Sequence, residues 1–113
     1  MRFYKLEDSL LVNLLGETTS LKEVTANTEE ASKEKHIPVI EADGDKIKVQ
    51  VGSILHPMVD VHFIELIAIQ TEKGIQIKYL NPGELPIAEF VLTDDKLICA
   101  YAYCNLHGLW RSK

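Results

Sequence analysis

Cys104 and His107 stand three residues apart in the stretch YCNLHGLW, Tyr103 to Trp110, which reads as a loop closing a strong apolar run. A thiolate and an imidazole at that spacing are donors for a transition metal. The pair alone is a weak signal, but the other three histidines sharpen it, because each sits at a break in the pattern. His36 and His56 lie within two residues of Pro38 and Pro57, and His62 follows His56 by six. These five side chains are expected to converge on one metal ion. Each also has an ordinary reading: a lone histidine is usually a surface or hydrogen-bonded residue, and an apolar-flanked cysteine such as Cys99 is usually a small core side chain.

Cys104 differs from Cys99. In an unbroken strand, residues an odd number apart point to opposite faces, which argues against a disulfide between them. Cys104 also lies beside Asn105 and Gly108, where the chain can bend around an ion. Cys104 is therefore the expected ligand and Cys99 the packing residue. Structural zinc takes four protein ligands and catalytic zinc usually three. Five imidazole and thiolate donors suit a six-coordinate metal such as iron better, although zinc or copper could occupy such a set.

The elements that must position these residues read as β. Lys46 to Val51 alternates, with Ile47, Val49 and Val51 on one face. Asp43-Gly44 signals a hairpin, and Asn81-Pro82-Gly83 a turn. Further strands are expected at Ile37–Glu41, Val61–Gln70, Ile75–Leu80, Ala88–Leu92 and Leu97–Tyr103, with Pro57 keeping Ile54–Met58 a loop or an edge. Asn27 with Glu30 three residues on resembles a capping box, predicting helical turns through Ala31 to Lys35. Pro38 biases Ile37 out of the helical region, so His36 falls where helix gives way to extended chain. Phe3–Leu6 and Leu10–Leu15 are candidate short strands. The expected fold is all-β, an immunoglobulin-like antiparallel β-sandwich over residues 28–113 with a small N-terminal appendage at 1–27.

At 113 residues the chain can bury a core without disulfides. A net charge of -5 gives no electrostatic support for nucleic-acid binding or for anionic membranes. No window approaches the ~20 apolar residues of a spanning helix. The first residues lack the basic flank and cleavage site of a signal peptide, so a cytoplasmic location is expected, where two cysteines act as a ligand or as buried thiols.

The segments KEKHIPVIE, VGSILHPM with His62, YLNPGELPIAEFVL and AYAYCNLHGLW together resemble the iron-centre domain of superoxide reductases, the neelaredoxin and desulfoferrodoxin group, from about Thr28 to Trp110. The resemblance implies one iron per chain, with equatorial His36, His56, His62 and His107 and axial Cys104. It implies superoxide as substrate at a sixth, solvent-facing position. Lys35 would attend the substrate, and Glu34 could close onto ferric iron. Lys33 and Lys35 would steer the anion, although KEK without His36 would read as a solvated charge run. Phe3-Tyr4-Lys5 resembles the start of a rubredoxin-like domain, but Leu6 and Ser9 stand where a Cys-x-x-Cys pair is expected and the later pair is missing. The segment looks like a degenerate remnant without a metal, kept for packing or subunit contact. Electrons would then come from an external, rubredoxin-like donor, for which His107 and Trp110 are docking candidates unless Trp110 only packs over the site. The resemblance also implies a homodimer or higher homo-oligomer. The rival readings are a non-enzymatic iron electron-transfer protein and an immunoglobulin-like module with a structural metal.

Overall fold

Alternating burial and turn chemistry divide the chain into ten strands and one helical turn in a computed structural model that describes residues 1–13 and 15–113. In order these are β1 (Arg2–Leu6), β2 (Ser9–Asn13), β3 (Lys22–Val24), α1 (Lys33–His36), β4 (Pro38–Asp43), β5 (Lys46–Val51), β6 (Ile64–Thr71), β7 (Ile75–Tyr79), β8 (Ile87–Val91), β9 (Leu97–Cys104) and β10 (Gly108–Arg111). The strand expected at Leu10–Leu15 is realised as β2, and Leu14 lies outside the described residues.

Two sheets form the immunoglobulin-like antiparallel sandwich, one ordered β4-β5-β8 and the other β10-β9-β6-β7. Ile47, Val49 and Val51 are buried from β5, as the alternation requires, and meet Ala88 and Phe90 of β8. Facing them are Ile67 and Ile69 of β6 and Ala100, Ala102 and Cys104 of β9. The hairpin between β4 and β5 pairs Asp43 with Lys46, so its loop is Gly44-Asp45, one residue later than the Asp-Gly signal suggests, with Gly44 at φ 60°.

The third sheet, β2-β1-β3, covers the outer face of β9 and β6. Phe3 packs there with Leu66, Ala68, Tyr101, Tyr103 and Leu109. Its ring lies 4.9 Å from that of Tyr101. Lys5 Nζ stands 5.1 Å from the centre of the Tyr103 ring. Cys99 belongs to this outer cluster and Cys104 to the inner one, as their odd spacing on β9 demands, and both thiols are free.

Three further features depart from the sequence reading. Asn27 is not a helix cap: it sits at φ 61°, and the only helical turn among the described residues begins six residues later, at Lys33, with Ser32 before it. The C-terminal stretch is not loop throughout, because Gly108–Arg111 pair with β9 as a strand. The run from Val61 is bulged at its start: Ile64 faces Cys104 while Leu66 faces Tyr103, so two steps on β6 match one on β9. That bulge turns Ile64 into the inner core although Leu66, two residues on, faces the outer one.

Candidate metal centre

One end of the sandwich gathers every expected ligand. His36 ends α1, just before Pro38 forces extended backbone. His56 lies in the loop after β5, where its backbone N–H donates to Val51 O at 2.8 Å. His62 precedes β6 and exchanges two backbone hydrogen bonds of 3.0 Å with Val59. Cys104 ends β9, and His107 is the last residue of the three-residue loop that Gly108, at φ 76°, turns back into β10.

The ligand atoms of His36, His62, Cys104 and His107 all lie within 4.8 Å of one another. His56 completes the group: its Nε2 is 3.2 Å from His36 Nε2 and 3.5 Å from Cys104 Sγ. His107 Nδ1 is 3.2 Å from His36 Nε2 and 3.9 Å from Cys104 Sγ. These separations are the scale expected of neighbouring donors about 2.0–2.3 Å from a shared ion.

The proton positions show why a cation fits. His36 Nδ1 lies 2.6 Å from Ser32 O, and His56 Nδ1 lies 2.6 Å from Pro57 O. A carbonyl only accepts, so each Nδ1 carries the proton and, in the neutral ring, each Nε2 presents a lone pair. Burial lowers the pKa of His36, opposed by its bond to Ser32 and reinforced by His107, His62 and Lys35. Burial likewise pushes His56 down to about 4, with the other three histidines adding to the effect. His62 is lowered by burial, by His107 and by Lys35. The Nε2 lone pairs of His36 and His56 therefore face each other across 3.2 Å, an arrangement that a shared cation satisfies. His62 Nε2 is buried with no hydrogen-bond partner among the described residues, as a ligand atom aimed at an ion would be. Burial raises the Cys104 thiol, opposed by the backbone N–H groups of His107 and Leu106. A bound metal would take it as the thiolate and release its proton.

His36, His56 and Cys104 are buried, whereas His62 and His107 are partly exposed, so the centre opens to solvent on their side. Lys35 is exposed, and its charge bears on His36 and His62. Glu34 is also exposed. Its backbone carbonyl accepts from Ile54 N at 3.1 Å and Ser53 Oγ at 3.2 Å, and its carboxylate is not among the clustered ligand atoms. Trp110 is 1% exposed, which removes it from the docking candidates. Its ring centre is 4.9 Å from that of His36, and Nε1 donates to His107 O at 3.0 Å.

Two supporting residues escaped the sequence reading. Asn105 Oδ1 accepts from Phe63 N at 2.9 Å, and its Nδ2 donates to Val61 O at 3.1 Å, tying the His62 loop to the His107 loop. Its place between the two C-terminal ligands was the available signal. Gly52 lies so close to α1 that an added Cβ would collide with Glu34 O and stand 2.9 Å from Lys35 C. A glycine at a strand end reads only as punctuation until the helix is seen against it.

Four imidazoles and one thiol at the end of an immunoglobulin-like sandwich define a His/Cys metal-binding protein. The desulfoferrodoxin family model matches residues 28–113. The desulfoferrodoxin homolog of Archaeoglobus fulgidus is 46% identical over 97 residues, covering 86% of this chain and 75% of the relative. The desulfoferrodoxin of Nitratidesulfovibrio vulgaris is 43% identical over 93 residues, covering 82% and 73%. The solved superoxide reductase of Treponema pallidum superposes with a TM-score of 0.86 at 40% identity, covering 100% of this chain and 99% of that one. The chain belongs to the desulfoferrodoxin family.

Proposed function

We infer that the chain is a superoxide reductase, an oxidoreductase that converts superoxide to hydrogen peroxide with one electron and two protons. The observation that carries this reading is the convergence of four imidazoles and a buried thiol at contact distances, with the Nε2 lone pairs of His36 and His56 facing each other across 3.2 Å. Proteins similar to this chain bear the name superoxide reductase, among them those of Pyrococcus furiosus and Giardia intestinalis. One iron per chain, held by His36, His56, His62, His107 and Cys104, would supply the electron by cycling between its ferrous and ferric states. A closed four-ligand structural zinc site fits less well, because the donors are five and two of them are partly exposed.

The protein's own groups account for the remaining work. The Ser32 and Pro57 carbonyls hold two rings in the tautomer that offers Nε2. His107 N–H donates to Cys104 Sγ at 3.4 Å, which stabilises negative charge on sulfur and tunes its electron donation. Superoxide is an anion, and Lys35 draws it toward the open side of the centre on a chain otherwise negative. Glu34 lies on the same helical turn, and its carboxylate is the group that could close onto the centre.

The chain has two cysteines, Cys99 and Cys104, and the described residues hold no second ligand cluster in the N-terminal sheet. We carry an external, rubredoxin-like electron donor over from the family resemblance. A homodimer is carried on the same resemblance, and a cytoplasmic location stays the expectation drawn from the sequence. Among the described residues no helix is long and apolar enough to cross a membrane.

Pulse radiolysis tests the reading. Reduced, iron-loaded protein is expected to consume one superoxide per iron and to yield peroxide without oxygen. Superoxide decaying at its background rate would overturn it.

A further inference from the structure

The segment joining the N-terminal sheet to α1 lies across the hairpin that carries Cys104 and His107. Asn27 makes three hydrogen bonds to the free edge of β10. Its backbone N–H donates to Leu109 O at 3.0 Å, its Oδ1 accepts from Arg111 N at 2.7 Å, and its Nδ2 donates to Arg111 O at 3.2 Å. One side chain thus stands in for a neighbouring strand. Its φ of 61° suits asparagine, which tolerates the left-handed region better than most residues. Two residues on, the Glu29 side chain covers Gly108, where an added Cβ would lie 3.2 Å from Glu29 Cγ. The segment then reaches Ser32, whose carbonyl fixes His36.

Trp110 is flanked by the two residues that Asn27 holds. Its indole N–H is bonded to the His107 carbonyl, and its ring packs on His36. A displacement of β10 would therefore reach two ligands at once, His107 through the hydrogen bond and His36 through the ring.

We propose that the segment from Asn27 to Ser32 is a strap that positions His36 and His107. Asn27 and Trp110 are its positioning residues, and the N-terminal sheet serves as its anchor. The N-terminal sheet then supports the metal centre. The proposal rests on reading the His/Cys cluster as a metal centre.

The test compares metal release from the full-length protein to a chelator, with Co(II) and with Fe(II), alongside the electron paramagnetic resonance spectrum of the ferric form. Asn27→Gly keeps the backbone conformation and removes both side-chain bonds. Trp110→Phe keeps a ring on His36 and removes the N–H. Each is expected to speed release about tenfold, the lower end of the effect of altering groups that orient metal ligands, and to change the rhombicity of the ferric signal. The double variant is expected to fall short of the product of the two effects, because both act along one path. Asn27→Asp, which keeps the acceptor for Arg111 N–H, should recover part of the loss. Wild-type release rates and an unchanged ferric signal in either folded single variant would overturn the strap, whatever happens to melting temperature. Failure of the wild-type protein to bind either metal would instead overturn the functional reading beneath it.

Discussion

A methyl group at position 52 has no space to occupy. It would collide with Glu34 O while standing 2.9 Å from Lys35 C and 3.1 Å from Glu34 C, all backbone atoms of α1. No rotamer change relieves contacts with backbone, so the helical turn must retreat by about 1 Å, at a cost of roughly 1–3 kcal/mol for overpacking. The retreat also strains the bonds by which Ile54 N and Ser53 Oγ hold Glu34 O. His36 ends that same turn, and its Nε2 is only 3.2 Å from both His56 Nε2 and His107 Nδ1. A misplacement of ~1 Å at a reacting centre can cost on the order of 100-fold in rate. Gly52→Ala is therefore expected to lower iron retained per chain and to slow the second-order reaction with superoxide by one to two orders of magnitude, by that same estimate. Melting temperature should fall by a few degrees per kcal/mol. The assays are iron analysis after loading, pulse radiolysis and thermal unfolding. Full iron content with a rate within about twofold of wild type would refute the claim that Gly52 sets the position of His36.

Other substitutions probe separate parts of the site. Cys104→Ser is expected to abolish the thiolate-to-iron charge-transfer absorption and most activity, and an unchanged visible spectrum of the ferric protein would remove Cys104 from the ligand set. Lys35→Ala should slow the reaction with superoxide and flatten its dependence on ionic strength, because screening acts on the attraction that the lysine supplies. An unaltered rate at low salt would take Lys35 out of the mechanism. Asn105→Ala breaks two hydrogen bonds between ligand loops and is expected to cost about 1–3 kcal/mol. Urea unfolding measures that cost, with faster hydrogen exchange at Phe63 as the local signature, and wild-type exchange there would contradict the role assigned to Asn105.

The sheets were readable where side-chain chemistry is local. The Lys46–Val51 alternation and the odd spacing of Cys99 and Cys104 each carry a rule that needs no tertiary knowledge, and the structure follows them; the Asp43-Gly44 signal marks a hairpin whose loop falls one residue later. The five-residue cluster was legible because chemically rare residues stood at breaks in the β pattern, and their resemblance to a known segment order tied them together. What stayed hidden depends on distant partners. Asn27 and Glu30 fit a capping box locally, yet 84 residues separate Asn27 from the Arg111 backbone that claims its side chain. The bulge that turns Ile64 inward is set by β9 and leaves no mark in an apolar run. Trp110 read as a docking candidate unless it only packs over the site, and its burial and its bond to His107 decide for packing.

The central claim is that four imidazoles and one thiolate grip a single iron. X-ray absorption at the iron edge, on protein with its metal counted, tests it most directly. One iron per chain surrounded by nitrogen donors and a single sulfur is expected, with that sulfur lost in Cys104→Ser. A first shell without sulfur in the wild-type protein, or one with several sulfurs, would contradict it.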